Sequence, residues 1–401
     1  MRIAKGSTRV QLEAMKRNLV LGVVIAMMGG GMSAAFSGMT DFYKMHGVTE
    51  GDVFALQGLF AMSMGICSVP LGYLADASDK RRFLLGGAVL VVLGFLVYTV
   101  ASTFEGFLVA ELLIGLGGAS SMGAEVAMMY GSLTELRRVK HWPCVLGKMS
   151  LGGAIVGAAA HLCGGYLAVS NYRAPFLVCA GVAFVQLLLA LGFTEPRKNA
   201  SRKPSPKELV GIVRLCFWEK SEVRWILLSW TVLGVGVALA SWGYGSYLEG
   251  AQWKVEHRGW VFAVSSLIAG GASVGARWIP QCDKSLFMIF GLSVTGVALG
   301  HILLGSMILS WGILFALPHQ VSRGATDVIF SSALNRQPID NVRATVQSIR
   351  GALAAIVSGL LMLGLKVVSD AGGCQWVFWC LGILVLLAAA PILLLWRRNS
   401  K

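Results

Sequence analysis

Residues 79–104, DKRRFLLGGAVLVVLGFLVYTVASTF, set a short cluster of charge against a run of 22 residues that carries none. A helix rises about 1.5 Å per residue, so a run of this length crosses a hydrocarbon core of about 30 Å. The same alternation of short polar loop and apolar run of about 20 residues fills the rest of the chain. Twelve spans are expected: 18–42, 52–75, 83–104, 106–130, 144–168, 174–194, 225–247, 259–279, 285–305, 307–329, 344–367 and 375–396. The fold class is therefore an all-α polytopic membrane protein.

Composition agrees, with 56% hydrophobic and only 13% charged residues and a mean hydropathy of +0.69. A soluble chain of 401 residues would hold two or three domains; in a bilayer that length supplies spans and little else. A net charge of +14 would suit a nucleic-acid binder, but its distribution points elsewhere. With the amino-terminus inside, 26 Lys and Arg fall in cytoplasmic segments and five in outer loops. That asymmetry places both termini in the cytoplasm, and the positive charge meets anionic lipid heads, not nucleic acid. A bacterial inner membrane is the expected location. The eight cysteines sit mostly in or at the ends of spans, without CxxC or metal spacing, and read as small apolar fillers. The first apolar run is too long for a signal-peptide core and is read as a retained helix.

One loop is long. Residues 195–224 begin EPRKNASRKPSPKE and continue as KELVGIVRLCFW, in which Leu209, Ile212, Val213 and Phe217 recur at helical spacing. This linker, with an amphipathic helix along the membrane surface, separates an amino-terminal unit (1–194) from a carboxy-terminal unit (225–401) of six spans each. The halves match in order: DKRRFLLGG (79–87) with DKSLFMIFG (283–291), SMGAEVAMMYGSL (121–133) with SRGATDVIFSSAL (322–334), and Ala154-Ile155-Val156 with Ala355-Ile356-Val357. Offsets of 204, 201 and 201 indicate a duplicated six-helix unit in parallel orientation, with a binding site between the copies.

Between the second and third spans lies GYLADASDKRR (72–82). Here the chain resembles the major facilitator superfamily, whose signature G-x-L-A-D-x-x-G-R-R is matched by Gly72, Leu74, Ala75, Asp76, Lys80 and Arg81, with Asp79 in place of the usual glycine. Physically, Gly72 admits close helix approach and Asp76 offers a carboxylate to Lys80, Arg81 and Arg82, a charged latch that can hold one conformation and release another. The resemblance implies two six-helix bundles rocking about a central cavity. Two departures concern the substrate: Glu111 stands where drug/proton antiporters of the family carry an arginine, and the fifth span lacks their Gly-Pro pair. Drug efflux is thus compatible with these residues but not indicated by them.

An ionisable group near the bilayer centre costs at least about 2.5–3.5 kcal/mol, so embedded ones are functional candidates. Glu111, Glu125 and Asp327 qualify. Glu111 and Glu125 lie fourteen residues apart, which places them about 40° apart round one helix and about 21 Å apart along it. His161 in the fifth span is at a depth similar to Glu111, so the two could pass a proton or meet a polar group of the solute. Arg323 and Asp327, at i and i+4, share a helical face and can neutralise each other, as a gate between halves or a proton site. His319 and Gln320 would add donors to a cavity wall. Trp242 and Tyr244 could line the cavity and stack on an organic solute, together with Trp230; the Gly29-Gly30-Gly31 run permits close packing or bending.

No HExxH, GxSxG or Walker loop occurs, so neither a hydrolase nor an ATP-driven pump is indicated. No enzyme activity, metal or cofactor is expected. The function expected is a monomeric secondary transporter of a small organic solute, coupled to protons, its direction open. The alternatives are a facilitator without coupling and a non-transporting sensor or scaffold.

Overall fold

The computed structural model describes residues 9–77, 79–196, 206–276, 278–279, 282–337 and 343–399. The membrane-spanning helices are labelled α1 to α12. They are α1 Arg9–Gly29, α2 Glu50–Ala77, α3 Lys80–Val100, α4 Phe104–Glu135, α5 Trp142–Ser170, α6 Ala174–Leu191, α7 Ser221–Gly250, α8 Val255–Ala276, α9 Asp283–Ser306 and α10 Leu317–Asn335. The helix Arg343–Asn399 is two crossings, α11 (343–372) and α12 (374–399), joined at Gly373, whose φ of 65° breaks the helix. Glycine alone enters that region without strain. Ten helices are long and apolar enough to cross a membrane when α11 and α12 count as one. The twelfth crossing is α10, 19 residues long but low in hydropathy because Arg323, Asp327, His319 and Gln320 all lie on it.

Helix starts follow local chemistry. The Asp79 carboxylate accepts from the Arg81 backbone N–H and caps α3; the Thr103 side chain does the same for α4 through Gly106. Such caps satisfy donors that a helix end leaves open. The residue replacing the signature glycine is thus a helix cap. Pro175 and Pro318 occupy first turns of α6 and α10, where a missing N–H costs nothing. In α1 the glycine run converts the helix to a 3₁₀ segment, Gly30–Ser37, and Gly30 lies against Gly153 and Gly157 of α5. The tenth span starts later than its apolarity suggests: Met307 is extended and α10 begins at Leu317. Residues 307–311 instead fold onto the end of α7 and the turn after it, where the Tyr247 hydroxyl donates to the Met307 carbonyl (2.8 Å) and Trp253 Nε1 to that of Ser310 (2.9 Å).

Each half has its own core, centred on Phe42, Tyr98, Phe107 and Phe176 in the first and on Trp230, Phe290, Phe330 and Trp396 in the second. The linker continues as a short helix, Pro206–Arg214, and one π-turn, Leu215–Glu219. Ile212 and Cys216 are buried in the second half's core while Val210 and Trp218 stay exposed. Large apolar side chains such as Val100, Leu188, Leu292 and Leu394 are exposed outside, as a lipid-facing surface requires.

The halves meet along two seams, α2 with α11 and α5 with α8. On the first, Gly51 lies against Asp370, Gly58 against Gly359 and Gly65 against Ile356, but nothing approaches Gly72 or Gly351. On the second, Gly259 meets the His161 carbonyl and Gly270 meets Ala154, but nothing approaches Gly147. Both seams therefore close towards one membrane face, here called distal, and part towards the face where α1 begins and α12 ends. The result is a cleft open at the termini face. Gly72, expected to bring helices together, faces open space because α2 and α11 have already diverged there.

Candidate functional site

Three layers of polar side chains follow from this geometry. At the distal rim, ion pairs cross between halves: Arg258 with Asp41 at 2.6 Å, Lys44 with Glu249 at 2.7 Å, and Lys366 with Asp52 at 2.6 Å. Thr49 Oγ1 donates to Asp370 at 3.3 Å, and Lys366 also reaches Asp370 at 3.1 Å. Burial pushes the Asp41 carboxyl above the usual carboxylate range, and Arg258 offsets this only partly. Burial works against the charge on Lys44, yet the Glu249 carboxylate holds the ammonium above its ordinary value. At the termini face the described residues form no ion pair between halves. Arg81 there donates to the Leu191 carbonyl (2.8 Å) and its backbone N–H to Asp79 (3.0 Å) and Glu195 (3.2 Å), all within the first half. The Asp76 side chain lies outside the described residues; Lys80, expected in the loop, heads α3.

Beneath the rim an aromatic plug spans the seam. Phe36 of the 3₁₀ segment packs on Trp242 of α7 (5.0 Å) and Phe262 of α8 (5.1 Å), and the His161 ring of α5 lies 5.4 Å from Phe262. Ser37 donates to the His161 carbonyl at 2.9 Å, while buried His161 Nδ1 has no partner.

Glu111 is elsewhere. It is 4% exposed and sealed inside the first half, where Tyr98 of α3 and Gln57 of α2 each donate to Oε1 at 2.5 Å. Tyr43, on the short helix Met39–Met45, lies 2.6 Å from the Tyr98 hydroxyl and 3.4 Å from Oε1. Tyr98 gives its single proton to Glu111, so Tyr43 is the donor of the tyrosine pair. The expected Glu111–His161 pair is not formed, because α2 and α3 supply Glu111 with nearer donors and His161 turns to the seam. Glu125, half-buried on α4, has no donor at Oε1.

In the second half, His319 Nε2 lies 2.9 Å from the Val297 carbonyl and must carry hydrogen; Nδ1 then accepts from Tyr244 at 2.6 Å. The His301 ring stacks 4.2 Å from His319 and has no partner for either nitrogen. Tyr244 and His319 therefore belong to the core of this half and not to a cavity wall, and Gln320 is buried beside them with Oε1 unpartnered. The correction has a physical cause: a ring that can satisfy both nitrogens internally gains more there than facing water.

Arg323 and Asp327 do face the cleft. Both are exposed, about 80–160° round α10 from the lipid-side Leu317 and Val321. Arg323 is near enough to interact electrostatically with His161 across the seam and with Tyr244 and Asp327. The expected neutralisation within the pair does not occur as an ion pair. Asp327 accepts instead from Trp230 Nε1 at 2.5 Å, and the Arg350 guanidinium of α11 lies 3.9 Å over the Trp230 ring. Arg350 was legible as a cation seven residues into an apolar span, by the rule that picks out the embedded acids; Tyr43, Gln57 and Tyr98 carry no comparable signal.

The sequence profile of the Major Facilitator Superfamily matches residues 19–360. Among curated relatives, the class C tetracycline resistance protein of Escherichia coli is 22% identical over 349 residues, covering 84% of this chain and 85% of its own. Multidrug resistance protein MdtG of Citrobacter koseri is 30% identical over 216 residues, half of each chain. Among solved structures, nucleoside transporter NupG superposes with a TM-score of 0.73 at 11% identity, covering 94% of this chain and 98% of its own. A bacterial homologue of the human lysosomal transporter Spinster, in an inward-facing and unoccupied conformation, gives 0.72 at 14% identity, covering 98% of both.

Proposed function

Because this chain belongs to the major facilitator superfamily, whose members matched here are transporters and not enzymes, we propose that it moves a small organic solute by alternating access, driven by protons and in the direction of export. Family membership gives transport across a membrane; coupling, substrate and direction are this reading's own. The observation that carries it is the arrangement of the seams: closed at the distal face by ion pairs and an aromatic plug, parted at the termini face, with Arg323 and Asp327 on the exposed wall between. A carrier needs a solute path accessible from one side at a time.

With both termini cytoplasmic, as the charge asymmetry requires, the open side is the cytoplasmic one. The resistance functions named for the relatives favour export from that side. Proton coupling rests on acids held at membrane depth without a basic partner within reach of an ion pair, Glu111 and Asp327. Glu111 serves as the internal proton site because its two donors, Tyr98 and Gln57, bind either protonation state: Oε1 accepts in both. Residues 1–194 and 225–401 act as the two moving units, and 195–224 ties them.

Purified protein in proteoliposomes with an imposed pH gradient tests this. Accumulation of a fluorescent solute should follow the gradient, collapse with a protonophore, and fall about tenfold or more in Glu111→Gln, the scale of a lost acid–base group. Uptake that ignores the protonophore would establish a facilitator instead.

A further inference from the structure

Two arginines at membrane depth, each costly to bury, sit on the cleft wall without the partners that usually offset that cost. Arg350 stacks on Trp230, is half-buried, and its Nε is buried with no acceptor. Arg323 is exposed to the cleft and forms no ion pair among the described residues. The carboxylate both of them sense, Asp327, is already engaged by the indole N–H of Trp230. Glu125, across in the first half, forms no ion pair with either guanidinium. Two planar forks with unfilled donors therefore face one carboxylate that is spoken for.

Resting on the transport reading above, we propose that the solute is an organic acid: its carboxylate, or an equivalent oxyanion, is held by Arg323 and Arg350. Its apolar body lies towards the plug formed by Phe36, Trp242 and Phe262. A guanidinium fork matches an oxyanion in two parallel hydrogen bonds, geometry that a neutral amide fills poorly and an ammonium not at all. The stack on Trp230 fixes the Arg350 plane, so less freedom is lost when the anion arrives. Asp327 keeps the unoccupied arginines tolerable in the membrane and repels a second anion. A cationic solute would meet two like charges in a partly desolvated cleft, an arrangement that selects against it.

The full chain in lipid nanodiscs is screened with matched probe sets: indole-3-acetate, indole-3-acetamide and tryptamine, and 1-naphthoate with its amide and 1-naphthylmethylamine, beside a wider panel of organic acids. Binding is read as a rise in Tm and as direct titration, and flux in proteoliposomes. Acids should bind at least about tenfold more tightly than their amides and amines, about 1.4 kcal/mol. Arg323→Gln and Arg350→Gln should each weaken acid binding about tenfold, Arg350→Lys should recover part, and Asp327→Asn should bind acids as well or better. Variants are compared only as monodisperse protein, and Arg323→Gln stands in if the Arg350 variants misfold. Amines ranking above acids, no acid among the ligands, or glutamine variants that bind acids like the wild type would overturn the assignment. Acids that bind without flux would defeat the transport reading while sparing the site; flux of amines would do the reverse.

Discussion

Asp41 shows how a single side chain can bias a whole carrier. Its carboxyl, placed against Arg258, Glu249 and Lys44, takes up a proton above its ordinary value of 3.8 when the rim is closed. When the rim parts and water reaches it, that value returns to normal. A group that binds protons more readily in one state favours that state as pH falls, so acid should hold the rim shut, and the bias fades as pH rises through the raised value. Spin labels at the exposed Met45 and Gln252 would measure this across the rim. The short-distance population should grow between pH 7 and pH values near the ordinary carboxylate range, about 4, and Asp41→Asn should remove the dependence. Growth of the long-distance population in acid would contradict the assignment.

Helices show which features a sequence carries openly. Twelve crossings were readable from apolar runs because the bilayer imposes one length and one polarity on each. The tenth blurred at its start, since residues 307–311 are as apolar as a span but pack on Tyr247 and Trp253 as a rim loop, and Gly312–Ala316 forms a 3₁₀ turn before α10. Embedded charge exposed Glu111, Asp327 and Arg323 as special. Their partners were hidden, because whether Glu111 meets His161 or Tyr98 depends on helix rotation, and a rotation of one residue changes the answer by about 100°. The seams are equally specific. Gly359 lies so close to the Met62 side chain and the Gly58 carbonyl that a larger residue must push α2 from α11. Gly359→Leu should cost about 1–3 kcal/mol, the usual penalty of overpacking, and lower both Tm and flux. Gly364→Leu, on the same helix with nothing within 4 Å, should leave both near wild type. Equal effects from the two would mean that the seam is not the sensitive feature.

Across the whole molecule, two of the three rim ion pairs, Lys44–Glu249 and Lys366–Asp52, are partly exposed and contribute little each, while Arg258–Asp41 is largely buried. Together the three hold one conformation weakly enough to be released in a cycle, and salt should loosen the two exposed pairs more than the buried one, because ions screen solvent-exposed charges most. Fixing them should stop transport. In protein lacking its eight native cysteines, Lys44→Cys with Glu249→Cys joined by a short cleavable linker should abolish flux and keep binding from the termini face; cleavage should restore flux. Undiminished flux in the linked protein would exclude rim opening as a step.

Gly373 makes a one-residue elbow between α11, which carries Arg350, and α12, whose Leu387 and Leu394 meet the acyl chains. So short a corner offers no slack, and a lean of the inner arm must swing the outer arm against its lipid neighbours. Membrane thickness then enters the working cycle as a mechanical load. Turnover in short-chain and long-chain phosphatidylcholine should differ, and Gly373 replaced by a three-glycine bridge should erase that difference.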